Sequence, residues 1–489
     1  MVAFNPSALL ERLLGEPVEA EWIEFKASQG DHEIIGKSIS ALANGAMLAD
    51  RDRAFLVFGV EDITRAKIDT AVRLKAKKVG GIPFEMWIAN SLDPPITLEI
   101  IEFESERKTF CIVCIDASYE RPVKFKNSEY IRVGESTTSL SRFPDRARAL
   151  WLATGRRRFE DITARSNLSL ENVLSLIDVN TYYRLVTEPV PSDSKEILRR
   201  FISKKFIIDN MNGSYDITCL AAILFAKDMN DFPPLMYKSV RVIQYRGDDK
   251  RHSEIEQEGK RGYALGFPGI MKFIQDRIPK EERYQDGIRH VVYAYPEVAV
   301  REIVANALIH QDFTVSGAGP VIEIYKNRIE VTNPGSSLIS IDRILDDRRS
   351  RNEKLANTMR ELGLCEERGG GLDKVILDVE LRNLPPPDFI VTENSFRVVL
   401  PGPRSFSEMS KLERRRACFF HCVIRYLKQD FMSNASLRER FLLRDADYQV
   451  VSSVISDAIK AGRIAPSDPN QGNRNARYIP CFAAAASRD

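Results

Sequence analysis

A chain of 489 residues, 44% apolar and 29% charged, is long enough for three or four domains of about 100–200 residues and too evenly mixed to be disordered or fibrous. Lys and Arg total 71 against 69 Asp and Glu, a formal net charge of +2, which excludes a uniformly basic nucleic-acid binder and leaves local basic patches to carry any such contact. Seven cysteines over this length exclude a secreted disulfide framework. The sequence shows neither a signal-like start nor an apolar run of about 18 residues, so the expected location is cytoplasmic.

Residues 1–150 alternate short strands and helices. Residues 22–26 alternate as a strand, and Ile35, Ile39 and Leu42 recur at helical spacing over 32–44, with a stop expected at Asn44-Gly45. Residues 54–60 read as a buried strand, 96–105 and 109–117 as a hairpin across 106–108, and 124–133 as a further strand. Cys111 and Cys114 fall three apart on one of these strands and so face opposite sides, which points to core cysteines rather than a shared metal. Residues 145–158 turn basic, and 151–204 read as a helical connector. Two apolar strands are expected near 221–225 and 240–245, opening a domain that runs from 205 to 402. A linker at 401–410 precedes a small unit, 411–482, of three helices and a hairpin. This is the pattern of a winged helix, with Arg474 and Arg477 on the wing and few basic residues beyond Lys460 on the third helix. Such a unit binds DNA or docks proteins.

The strongest constellation begins after Pro296. Glu302 and Asn306 are four apart and share one helical face, where an amide oxygen can hold a magnesium ion and a carboxylate can orient water. Asn333 ends a strand, where its amide can match an adenine edge, and Gly335 follows in the turn. Gly369, Gly370 and Gly371 then open a helix whose bare backbone and N-terminus suit phosphates. Each piece alone is common on exposed helices and turns; their order and spacing together are specific.

The segments REIVANALIHQDF (301–313), RIEVTNPG (328–335), RSRNEKLANTMR (349–360) and CEERGGGLDKV (365–375) resemble the Bergerat ATPase fold of gyrase, histidine kinases and MutL. They resemble more closely its divergent version in prokaryotic proteins with an N-terminal Schlafen-type domain. The resemblance implies ATP with magnesium, Glu302 as general base, Asn306 as magnesium ligand, the three glycines as phosphate loop and residues 336–364 as lid, with Arg351 and Asn352 as lid contacts or plain surface residues. Asn333 stands where the wider superfamily has an adenine-binding Asp.

EFK (24–26), ISALAN (39–44), FGVED (58–62) and YIRVGEST (130–137) resemble the Schlafen-type Alba-like domain. That resemblance implies Glu19, Glu24 and Asp62 as a carboxylate site for magnesium or manganese in RNA cleavage, with Lys26 beside the phosphate. The residue-level alternative is that Glu24 simply pairs with Lys26. Lys124, Lys126, Arg132, Arg156, Arg157 and Arg158 are the expected nucleic-acid contacts. Schlafen nucleases use two such domains to form a groove; with one copy here, the expectation is a homodimer or larger homo-oligomer.

The expected fold class is α+β multidomain: a Schlafen-type Alba-like α/β domain, a Bergerat α/β sandwich and a C-terminal winged helix. The expected function is ATP-binding nucleic-acid processing. The leading version is an ATP-regulated, metal-dependent endoribonuclease with weak ATPase activity in phage defence or stress. The alternatives are an ATP-responsive DNA-binding transcriptional regulator without nuclease activity, and a scaffold in which ATP only fixes assembly.

Overall fold

The computed structural model describes residues 5–16, 20–28, 30–134, 136–155, 158–285, 288–347, 349–365, 371–472 and 476–486. Glu19, Arg156, Arg157, Gly369, Gly370 and Arg474 therefore lie outside the described residues. The chain divides into two compact units, one of Met1–Ile162, Ser166–Leu170 and Ile208–Asp216, the other of Thr163–Arg165, Glu171–Ile207 and Ile217–Asp489.

The first unit begins with α1 (Pro6–Leu14), β1 (Ile23–Lys26), α2 (His32–Leu48) and β2 (Arg53–Phe58). It continues with α3 (Phe84–Ser91), β3 (Leu92–Asp93), β4 (Leu98–Ser105), β5 (Lys108–Asp116), β6 (Lys124–Phe125), β7 (Ser128–Val133), β8 (Ser136–Ser139) and α4 (Pro144–Ala153). One sheet has the order β1-β2-β5-β4, the other β8-β7-β6-β3. β1 runs parallel to β2, placing Glu24 beside Leu56 and Lys26 beside Phe58. The β4–β5 hairpin turns at Glu106 and Arg107, both with positive φ (53° and 60°), the two-residue geometry that matches strand twist. Residues 124–133 form two strands rather than one, because Lys126 and Asn127 (φ 45° and 69°) make a second such turn.

Helix α2 passes Asn44 and ends at Leu48, four residues beyond the expected stop. Asn44 is fully buried: its Nδ2 donates to the carbonyls of Val123 (2.9 Å) and Tyr130 (2.8 Å), and its Oδ1 accepts from the Val123 N–H (2.7 Å). Gly45 is a packing position, since a Cβ there would collide with the Glu21 carbonyl oxygen. An Asn-Gly pair that looks like a helix stop is thus a polar clamp and a point of close approach. Cys111 and Cys114 are buried in β5, and burial pushes both thiols up to about 12.

The second unit includes α5 (Val179–Leu185), α6 (Ser194–Ser203) and α7 (Cys219–Phe225). Residues 221–225, expected as a strand, belong to α7, which is buried on every side and starts where Thr218 Oγ1 accepts from the Ala221 N–H (3.3 Å). A short, wholly apolar run carries no period to separate strand from helix. Tyr182, Phe201, Phe206 and Phe225 pack ring against ring at 5.2–6.1 Å, so α5 and α6 share a core with α7 rather than merely bridging.

Then follow β9 (Val240–Tyr245), β10 (Ser253–Gly259), α8 (Tyr263–Gln275), α9 (Glu297–His310), β11 (Val321–Ile324), β12 (Arg328–Pro334), α10 (Glu353–Glu361), α11 (Gly371–Leu381), β13 (Asp388–Val391) and β14 (Ser395–Pro401). Their six-stranded sheet has the order β10-β9-β11-β12-β14-β13, and α9 packs on both α11 and β12. The C-terminal part comprises α12 (Lys411–Leu427), α13 (Asn434–Arg440), α14 (Tyr448–Lys460) and the hairpin of β15 (Ile464–Pro466) with β16 (Tyr478–Pro480). A capping box at Ser410 and Glu413 starts α12.

Candidate nucleotide site and the N-terminal carboxylates

Helix α9 carries Glu302 and Asn306 one turn apart, and both line a cavity of about 290 Å³ in the second unit. Gly371 opens α11 on the opposite wall. A Cβ there would stand 2.7 Å from Glu302 Oε2 and 3.6 Å from Asn306 Nδ2, so any side chain at this position would push the Glu302 carboxylate aside. Asn333, 3% exposed at the end of β12, lines the same cavity. Four of the sequence-predicted residues thus converge: Glu302, Asn306, Asn333 and Gly371.

Gly335 does not line the cavity, although a nucleotide contact was expected of it. Its φ of +92° and the 2.6 Å that would separate a Cβ from Asp312 Cβ show a turn glycine instead. Asn352 is neither surface nor wall: it is 2% exposed, and its Nδ2 donates to the carbonyls of Ile309 and Gln311, both at 2.8 Å, closing the C-terminal end of α9. Arg351 lines the cavity, donating to the Ser336 carbonyl (3.3 Å) and facing Asp312 at 3.6 Å. The expected lid segment supplies Leu338, Ile339, Ile344 and Leu345 as an apolar wall.

Sequence reasoning missed His310 and Arg360. His310 lies four residues past Asn306, the continuation of the same helical stripe, and lines the cavity. Burial, with Arg351 nearby, pushes its imidazole down to about 4, so it stands neutral at pH 7. Ser350 Oγ and Arg360 Nε, both on cavity residues, are buried without a hydrogen-bond partner among the described residues. Orphaned donors on the walls of a cavity that Gly371 also lines are what a bound anion would satisfy, so the residues described fit a nucleoside triphosphate.

In the first unit, Glu24 is buried on β1 between two cations. Lys26 Nζ lies 2.8 Å from Oε1, and Arg132 Nη1 lies 3.1 Å from Oε2 at an angle that falls short of a hydrogen bond. Arg132, expected to meet phosphate, is only 3% exposed and faces Glu24 instead. Asp62 stands half-buried in the turn after β2, which is stitched to the end of β1 by the Gly59 and Val60 N–H groups donating to the Lys26 carbonyl (2.9 and 3.4 Å). The parallel β1–β2 pair sets Glu24 beside Leu56, within β2, whereas Asp62 follows the end of that strand at Phe58. Among the described residues no three His, Cys, Asp or Glu side chains gather to hold a metal. Lys124 stays half-exposed 3.9 Å from Glu129, Lys126 pairs with Glu33, and Arg158 is half-buried.

Residues 19–141 match the family model described as "Schlafen, AlbA_2", and residues 317–400 match the one described as "Putative ATP-dependent DNA helicase recG C-terminal". The chain carries a Schlafen AlbA_2 domain and a recG-type ATPase-like module. Asn333 and Gly371 fall inside the ATPase match, whereas Glu302 and Asn306 lie on the helix just before it. Glu24, Lys26, Asp62 and Arg132 all fall inside the Schlafen match. The crystal structure of the DIP2311 protein from Corynebacterium diphtheriae is similar over 99% of this chain and 98% of its own, at 15% identity and a TM-score of 0.43. No curated protein matches the chain. The two domains make this an ATP-binding, nucleic-acid-related protein. No helix among the described residues is long and apolar enough to cross a membrane.

Proposed function

We propose that the ATPase module holds ATP with a magnesium ion in the α9–α11 cavity, and that the Schlafen domain binds nucleic acid under control of that nucleotide. The observation that carries this reading is the closeness of Gly371 to Glu302 and Asn306 across a cavity that Asn333 also lines. Bound ATP would supply a polyanion with its metal ion. Asn306 offers an amide oxygen to the ion, Glu302 orients water, Gly371 and the N-terminus of α11 face the phosphates, and Asn333 meets the base. Calorimetry tests this: Mg-ATP gives binding heat with the wild-type chain, and Asn306→Ala weakens it about tenfold or more, near 1.4 kcal/mol. Absence of heat in the wild-type chain overturns the reading.

Whether the Schlafen domain cuts is a separate matter. The nuclease reading rests on Glu19, Glu24 and Asp62 holding magnesium or manganese. The second reading, an ATP-responsive DNA-binding regulator without nuclease activity, is favoured by Glu24, whose two oxygens already face Lys26 and Arg132. A carboxylate neutralised by two cations has little charge left for a metal. Incubation of the chain with tRNA or single-stranded DNA and Mn²⁺ separates the two. Cleavage that Glu24→Ala abolishes supports the nuclease; intact substrates with and without ATP support the regulator.

A further inference from the structure

Two walls of the nucleotide cavity are gripped from outside by the C-terminal winged helix. The first is α11. It starts at Gly371 in the cavity and runs 11 residues, about 16 Å at 1.5 Å per residue. At its far end Glu380 Oε1 lies 2.6 Å from His421 Nδ1 of α12, and Glu380 Oε2 lies 3.6 Å from Arg440 Nε of α13. His421 and Arg440 are each 5% exposed. Arg440 Nη2 also donates to the Leu384 carbonyl just beyond α11 (2.7 Å), while its Nε and Nη1 make no hydrogen bond. Beside this grip, Arg416 pairs with Asp388 at 2.6 Å and Phe420 packs edge-on to Phe389.

The second wall is the lid. Its single turn Ile341–Arg343 leads directly into the cavity residues Ile344 and Leu345. Asp342 pairs with Arg463, at the start of the wing, and the Arg343 guanidinium lies 4.9 Å from the centre of the Phe482 ring.

Ser436, His421 and Glu380 are linked in the order of a nucleophilic triad, His421 Nε2 lying 3.1 Å from Ser436 Oγ and Nδ1 2.6 Å from Glu380 Oε1, but the serine does not line the cavity that a substrate could enter. Ser436 Oγ accepts from the Ser433 N–H (3.0 Å) and donates to the Ser433 carbonyl (3.1 Å), so it is spent as a helix cap, and Ser436 is buried away from the cavity. The buried charges serve as a grip.

We infer that the winged helix senses the occupancy of the nucleotide cavity, with α11 and the Ile341–Arg343 turn transmitting it through the Glu380–His421–Arg440 and Asp342–Arg463 contacts. A helix of three turns moves as a rod, and ligand held at its N-terminus restrains its C-terminal end. Glu380 cannot yield gradually, because Arg440 is buried and Glu380 is the one acid paired with it among the described residues. The inference rests on the nucleotide reading of the cavity and adds its readout.

Amide hydrogen exchange of the full-length chain, with and without Mg-ATP, tests it alongside calorimetry. In the wild-type chain Mg-ATP slows exchange in α12 and α13 about threefold or more. In Glu380→Gln combined with Asp342→Asn the slowing disappears, while ATP affinity changes by no more than about threefold, as reciprocity of coupling requires. Should that variant unfold, Glu380→Leu with Arg440→Leu and Asp342→Ala replaces the buried pair by apolar groups, breaks the Asp342–Arg463 contact as well, and equally loses the slowing. Binding heat without any slowing in the wild-type chain overturns the sensor alone. So does wild-type slowing in either variant. Absence of heat overturns the nucleotide reading and the sensor with it.

Discussion

At the scale of single residues, the cavity depends on what is missing as much as on what is present. Gly371 leaves the gap into which Glu302 projects, and a methyl group there forces the carboxylate aside. Gly371→Ala should therefore weaken Mg-ATP at least about tenfold in calorimetry with little loss of thermal stability. His310 makes the second point. Its ordinary value is 6.5, and burial with Arg351 lowers it to about 4. Below pH 6.5 the unfolded chain takes up a proton that the folded chain refuses, so stability contributed by the neutral ring is lost as pH falls from 6.5 toward 4. Urea midpoints measured across that window should drop on acidification, and by less in His310→Gln. Both residues sit on stripes legible in the sequence: His310 continues the four-residue spacing of Glu302 and Asn306. Its neutrality was not legible, because burial is a property of the folded chain and not of the helical stripe.

At the scale of elements, α2 shows how a local signal is overridden. Asn44-Gly45 carries the residues of a helix stop, yet the helix continues to Leu48 because Asn44 finds three partners on the loop at Val123 and on β7. Asn44→Ala leaves the Val123 N–H without its acceptor and removes the donations to the Val123 and Tyr130 carbonyls, of which Ser40 Oγ still satisfies the first, and should cost about 1–3 kcal/mol in denaturant unfolding. Gly45→Ala meets the Glu21 backbone rather than a movable side chain and should cost about 1–3 kcal/mol. The same lesson holds at α7, where the apolar run 221–225 is helical because it is buried all round. Arg132 is the corresponding case for charge. The sequence places it on a strand with other cations; only the meeting of β7 with β1 reveals that it faces Glu24.

At the scale of the whole molecule, the open matters are assembly and chemistry. With one Schlafen domain per chain, the homodimer expected from the family resemblance should show a light-scattering mass near twice 55.5 kDa. A monomeric mass would remove that expectation. Binding to nucleic acid through surface lysines such as Lys124 and Lys126 should weaken steeply with salt, whereas Mg-ATP binding in the cavity should depend on salt less. The sequence by itself pointed to Glu302, Asn306, Asn333 and Gly371, which the structure brings around one cavity, since helical spacing and the bareness of glycine are local properties. Only the tertiary structure decided that Glu24 is paired twice, that Asn352 closes a helix rather than meeting a ligand, and that the winged helix grips α11. Those facts join residues far apart in the chain, and burial, which sets the worth of a charge, exists only once such segments have met.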